Sequence, residues 1–250
     1  MKRNMLRFLI FSSLLAIVVL PSWSGQVKST DNGFAVVELF TSQGCSSCPP
    51  AEEVLAKLVK SGKSNVFALA FHVDYWDNLG WKDKFSNTAY TARQRWYAST
   101  EKSDGVYTPQ AIVNGNIHMV GSDEHRLIKV IDLQLKASVA KNRIIMQVKA
   151  GSGNSIEVNY EVEGIKTDVL LNVALIQRLS QTEVKAGENQ GKKLGSVNVV
   201  RSFKIVPAGK GQVSFVLPAD LSFKDCGVIL YAQQIRSMAI TGANEYLFNE

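Results

Sequence analysis

Phe34-Ala-Val-Val-Glu-Leu-Phe40, followed by Thr41-Ser-Gln-Gly-Cys-Ser-Ser-Cys-Pro-Pro50, decides the fold. Its first seven residues are almost continuously apolar, the pattern of a strand buried on both faces of a parallel sheet. Thr41 to Gly44 reads as a turn. From Ser46 to Ser61, the residues Ala51, Val54, Leu55, Leu58 and Val59 recur at helical spacing. Pro49 and Pro50 lack N–H donors, which only a first helical turn tolerates, so the helix starts beside the second cysteine. Asn65 to His72 is a second buried strand. Strand, helix and strand at this spacing form a βαβ unit with parallel pairing and a right-handed crossover.

The Cys45/Cys48 pair at the strand–helix junction points to thiol–disulfide chemistry. At a helix N-terminus, free backbone N–H groups and the helix dipole favour a thiolate, the attacking species in disulfide exchange. Cys45 is therefore the expected nucleophile, reachable from solvent, and Cys48 the shielded thiol that resolves the mixed disulfide. A zinc site would want four ligands, and Cys226 plus three scattered histidines lack metal spacing. A purely structural disulfide is the competing reading, although so short a loop closes little chain entropy. Thr108-Pro109 stands inside a stretch, Gly105 to Gly115, that reads as a strand. Proline is normally penalised there, and a cis bond at the strand's start, facing the cysteines, would resolve the conflict; an ordinary trans proline at a loop end is the alternative.

Outward from this centre, Ser86 to about Thr100 reads as a helix with Tyr90, Arg93 and Tyr97 on one stripe and Ser86 as N-cap. Asn114-Gly115 is a hairpin turn into a returning strand, Asn116 to Val120. Ser122, Asp123 and Glu124 open a helix running to about Ala140. Near residue 142 the texture changes to six short strand candidates: 144–149, 155–162, 169–178, 197–206, 212–217 and 227–235. Their spacing suggests an antiparallel sandwich. The expected organisation is a signal peptide (1–24), a disordered lead-in (25–33), an α/β domain with a mixed sheet flanked by helices (34–141), and an all-β, sandwich-like domain (142–250).

The run from Val37 to Ala51 resembles the thioredoxin-like domain of an uncharacterised family of exported bacterial proteins, known as a domain of unknown function. His72 to Lys82, Thr91 to Arg95, Tyr107 to Gln110, Gly187-Glu-Asn-Gln-Gly191 and Asn198-Val-Val-Arg201 extend the resemblance over both halves of the chain. It implies a thioredoxin-like fold with a β-rich C-terminal part and leaves the substrate open. It also implies that Pro109 packs beside the disulfide and that Thr108 offers backbone to a substrate chain. A thioredoxin carries a buried acid on the strand before its cysteine pair. Glu38 is the nearest counterpart, displaced by one residue, and the expected relay for the proton of Cys48; a carboxylate paired elsewhere is the alternative.

Trp76, with Trp81, could line a peptide groove or cap the enlarged insert between Cys48 and Pro109. His72 and Asp74 end the second strand, where His72 reads as a satisfied histidine that could also tune the thiolate. Arg93 and Arg95 read as anchors of the insert. His118 and His125 look incidental, and Cys226 reads as a small buried hydrophobe.

Met1 to Arg7 is basic, Phe8 to Leu20 is apolar but shorter than the about 20 residues a spanning helix needs, and Ser22 and Ser24 suit a cleavage site. A cleaved signal peptide is expected, hence a periplasmic or secreted chain with no stable membrane span. The formal charge of +6 includes Lys2, Arg3 and Arg7, leaving 6 − 3 = +3, and no basic stripe suggests a nucleic-acid partner. No cofactor is implied. Two functions remain in view: a thiol–disulfide oxidoreductase acting on protein thiols or disulfides with an unidentified redox partner, or a non-catalytic binding or assembly module that keeps the disulfide for structure.

Overall fold

The computed structural model describes residues 25–248 except 30–32, 64, 102, 104, 138, 166 and 167. The expected signal peptide, 1–24, lies outside the described residues. Two strands form the centre, β2 (Ala35–Thr41) and β3 (Val66–His72), and both are buried throughout. They pair in parallel from Ala35↔Val66 to Thr41↔His72, and α1 (Pro49–Lys60) makes the crossover. Beyond α2 (Thr88–Glu101), β4 (Gln110–Val113) runs antiparallel to β2, and β5 (Ile117–Val120) returns beside β4. Asn114 and Gly115 make that hairpin with φ of 48° and 79°, the left-handed region an Asn-Gly turn requires. α3 (Glu124–Ala137) follows. The cap of α2 is Asn87, whose Oδ1 accepts the Ala89 N–H at 2.9 Å. Ser86, the expected cap, instead turns its hydroxyl to Asp77 and Asp83.

Alternation along β2 sorts its side chains by layer. Ala35, Val37 and Leu39 pack with Ala51, Val54 and Leu55 of α1 and Leu127 and Ile131 of α3. Val36 and Phe40 face the other way, toward Tyr90 and Tyr97 of α2.

All six later strand candidates form strands: β6 (Arg143–Ala150), β7 (Ser155–Glu163), β8 (Val169–Glu183), β9 (Lys193–Pro207), β10 (Lys210–Val216) and β11 (Cys226–Gln234). A further strand, β12 (Ile240–Phe248), was not expected, because Thr241, Asn244 and Glu245 interrupt its apolar pattern. The lead-in also differs from expectation. Gly25–Ser29 forms β1, paired antiparallel with β12, since backbone bonding to a neighbour can hold an edge strand without apolar alternation.

The large sheet is mixed, in the order β1-β12-β11-β8-β9-β3-β2-β4-β5, and a small antiparallel sheet has the order β10-β7-β6. The small sheet packs Ile144, Ile156, Val158 and Phe215 onto Leu171, Leu175, Val228 and Leu230. The β-rich half is thus two-layered, and one of its layers continues the central sheet across residue 142. The junction is a single parallel bridge, Ala70↔Val199, reinforced by Asn198 Nδ2 donating to the Ala68 carbonyl at 2.9 Å. Among the described residues, no helix is long and apolar enough to cross a membrane.

Candidate functional site

Cys45 and Cys48 form a disulfide, their Cα atoms 5.4 Å apart, in the turn between β2 and α1. The Cys48 N–H donates to the Cys45 carbonyl at 3.2 Å, and the Ala51 and Glu52 N–H groups donate to the Cys48 carbonyl. Pro49 and Pro50 occupy the first two helical positions and supply no donors. The Ser46 and Ser47 amides, in the turn between the cysteines, find no backbone acceptor.

The structure brings Thr108, Pro109 and Trp76 to the disulfide. The Thr108-Pro109 bond is cis, and Thr108 Oγ1 donates to Cys45 Sγ at 3.3 Å. The same hydroxyl accepts the Trp76 indole N–H at 2.8 Å. Ser47 Oγ lies 3.4 Å from Cys45 Sγ.

Cys45 was expected at the surface; it is 0% exposed and Cys48 1%, although Ser46 and Ser47 between them are exposed. Two groups of residues bond to this turn. Trp76 and Thr108 form one. The other is the tip between β8 and β9, residues 184–192. There the fully buried Asn189 donates from Nδ2 to the Gln43 and Cys45 carbonyls, both at 2.9 Å. Lys192 Nζ holds Asn189 Oδ1 at 2.9 Å. Glu188 Oε2 accepts the Ser46 N–H at 3.0 Å, and bonds from the Ser46 side chain and amide hold its carboxyl below the ordinary range. Gly187, at φ +73°, lets the tip turn beneath Trp81: a Cβ there would stand 3.1 Å from the Trp81 Cβ. Trp81 in turn donates to Gln43 Oε1 at 3.1 Å. The tip lies 144 positions from Cys45 in sequence. Two glycines bracketing three polar residues mark Gly187–Gly191 as a tight turn, but nothing local says what it touches.

Glu38 does not lie beside Cys48. It is fully buried on the face of β2 opposite α1, where Arg93, Tyr97 and Tyr231 take its oxygens. The displacement by one residue seen in the sequence is the physical reason, because consecutive strand residues point to opposite faces. Arg93 is the anchor expected; Arg95 is exposed.

On the α1 side, a buried polar group gathers instead around His72, with Asp83 and Glu52 the members that sequence reading missed. His72 Nδ1 lies 2.6 Å from Asp83 Oδ2, which also accepts the Gln43 N–H at 2.8 Å. Glu52 Oε1 stands 3.7 Å from His72 Nε2. Burial alone would lower the His72 pKa, but the Asp83 and Glu52 carboxylates outweigh it and raise it. Burial likewise opposes ionised Asp83, yet His72 and the Gln43 and Phe85 amides hold its carboxyl low. Burial raises Glu52. Glu52 follows Cys48 by one helical turn, a spacing that places it on the same face and could have flagged it.

Asp74 pairs with Thr91, and His125 is exposed. Cys226 is buried, its Sγ 3.3 Å from the Ser222 carbonyl, and burial pushes its thiol up to about 12. Among the described residues, no group of three or more His, Cys, Asp or Glu side chains could hold a metal ion.

A family model described as "Protein of unknown function (DUF1223)" matches residues 36–233. The crystal structure of protein AGR_C_4864 from Agrobacterium tumefaciens is 32% identical, with a TM-score of 0.64, over 88% of this chain and 96% of that one. HBP35 of Porphyromonas gingivalis, at 15% identity and a TM-score of 0.58 over 88% of this chain and 77% of that one, is a likeness of fold. No curated protein matches the sequence.

Proposed function

The chain belongs to the DUF1223 family of proteins of unknown function, and from that premise we propose an exported thiol–disulfide oxidoreductase acting on cysteine pairs of other proteins. The observation that carries this reading is the Thr108 hydroxyl on the Cys45 sulfur, at the start of α1 and beside a cis Pro109. A donor aimed at sulfur stabilises the thiolate over the thiol. The strand order β3-β2-β4-β5, with β2 and β3 parallel, β4 antiparallel and helices on both faces, supports a thioredoxin-like unit over 34–141 carrying a β-rich unit over 142–250.

In the reducing direction, the Cys45 thiolate attacks one sulfur of a substrate disulfide. That bond breaks, the substrate's other sulfur leaves as a thiolate and takes a proton, and a mixed disulfide forms. Cys48 loses its proton and attacks the Cys45 sulfur, closing the internal disulfide and freeing the reduced substrate. A dithiol partner resets the pair by giving up two electrons and two protons. The oxidising direction is the reverse. None of these steps needs a cofactor, and Trp76, held by Thr108, borders the place where a substrate chain would lie.

The full burial of both cysteines favours a second reading, a binding or assembly module with a structural disulfide. Insulin reduction and oxidative refolding of a reduced protein, with Cys45→Ser as control, separate the two. Turnover above the control supports the oxidoreductase. Rates equal to the control, with a partner retained by both proteins in pull-downs, support the module.

A further inference from the structure

We propose that Glu188 is a redox-responsive latch on the Cys45–Cys48 site, holding the Ser46 amide while the sulfurs are bonded and yielding it when Cys45 becomes a thiolate. The inference rests on the reading of the pair as redox-active. Three observations carry it. Pro49 and Pro50 remove two of the donors that a helix start normally offers, and the Ser46 and Ser47 amides in the turn between the cysteines find no backbone acceptor. The Ser46 amide is already taken by a carboxylate, Glu188 Oε2 at 3.0 Å, supplied from the far half of the chain. The same tip places Asn189, fully buried, on the carbonyl of Cys45 itself.

A neutral disulfide leaves Glu188 undisturbed. Reduction changes the charges at this one donor. A dithiol reductant forms its own disulfide and gives two electrons and two protons; the Cys45–Cys48 bond breaks, Cys48 keeps a proton and Cys45 ionises, releasing the other. The new thiolate and the Glu188 carboxylate then flank the same turn, one on Cys45 and the other on the amide of the next residue, and each anion raises the pKa of the other. Glu188 sits on the tip, Lys192 behind Asn189, and Asp83 across the Gln43 amide, with His72 and Glu52 beyond it. Glu188 is the one joined directly to the turn between the cysteines. Its release loosens the tip, uncovers Cys45, and makes the reduced protein the form open to a substrate disulfide.

The test compares wild type with Glu188→Gln, an exposed position, and Asn189→Ala. Hydrogen exchange of the amides at 185–191 is measured with the pair oxidised and after reduction by dithiothreitol, and the pH profile of Cys45 alkylation by iodoacetamide is followed by peptide mass. In wild type, tip exchange should quicken about tenfold or more on reduction. In Glu188→Gln, the alkylation midpoint should fall by about half a pH unit. In Asn189→Ala, the oxidised tip should already exchange at the reduced rate. Equal tip protection in both redox states of the wild type, or superimposable alkylation profiles for wild type and Glu188→Gln, overturns the latch. Insulin turnover on the same preparations separates the two claims: turnover without the latch readouts removes the latch alone, and latch readouts without turnover remove the oxidoreductase alone.

Discussion

Arg93 grips both carboxylate oxygens of Glu38, Nε at 2.8 Å and Nη2 at 3.1 Å, and both residues are buried. Tyr97 and Tyr231 donate to the same carboxylate, and Gln233 and Asn172 accept from the guanidinium. The guanidinium also lies over the rings of Phe203 and Tyr97, at 5.0 and 5.1 Å. These residues come from β2, α2, β8, β9 and β11, so one buried ion pair ties the N-terminal strands to the C-terminal ones. Removing one partner leaves an uncompensated buried charge. Glu38→Gln should cost about 3–5 kcal/mol of stability in urea titration. It should leave the pH dependence of Cys48 alkylation unchanged, because the carboxylate lies across the sheet from α1. A shifted Cys48 profile would restore Glu38 as a proton relay.

Thr108 serves two neighbours at once, as donor to Cys45 Sγ and acceptor for the Trp76 indole. Thr108→Val keeps the shape and removes both bonds. The half-buried indole then lacks its acceptor, for about 1 kcal/mol of stability. The Cys45 thiolate loses a donor, so its alkylation midpoint should move up by about half a unit to one unit. An unchanged midpoint with normal stability would show that the hydroxyl does not act on the sulfur.

The β2–α1–β3 unit is legible because burial on both faces, a helical stripe and two prolines leave little choice of assignment. Thr108, Pro109 and Trp76 are legible as neighbours of the cysteines for the same reason: a proline inside a strand pattern requires a special place. Glu38 shows the limit. An offset of one residue reads as small in sequence and is a change of face in a strand. β1 stays hidden because an edge strand is held by backbone pairing, and β12 because polar residues interrupt its apolar pattern and find buried acceptors, for Asn244 the Ile144 carbonyl at 2.7 Å. The covering of Cys45 is hidden for another reason. Asn189 reads as a loop residue, and only the long β8–β9 pair, closing register from Leu170↔Pro207 to Glu183↔Lys193, carries it to the cysteines.

Cys226 tests the burial of the core between the large and the small sheet without touching the site. With its thiol pushed up to about 12, the thiolate fraction at pH 8 is on the order of 10⁻⁴. The oxidised native protein should give no thiol reaction with Ellman's reagent over minutes, and one equivalent after guanidinium unfolding. Prompt reaction in the native state would mean that the region around Ser222 opens readily.

The buried His72–Asp83 pair sets a pH dependence of stability. His72's native pKa is raised above its ordinary 6.5, so its contribution is complete below about pH 6.5 and is lost as pH rises through the native value. Asp83 is lowered, so its contribution is present above about pH 4 and is lost as pH falls through its native value. Glu52 is raised, and ionising it as pH climbs past its ordinary range costs stability in the same alkaline sense as losing the His72 proton. The melting temperature should therefore fall from pH 6.5 upward, by at most about 1.4 kcal/mol or roughly 3–6 °C per pH unit for each proton lost. Asp83→Asn removes the charge that keeps the ring protonated, so its melting temperature should be lower at pH 6 and flatter above it. A wild-type melting temperature that holds level from pH 6.5 to 9 would mean that His72 is buried neutral, with Asp83 accepting from an uncharged ring.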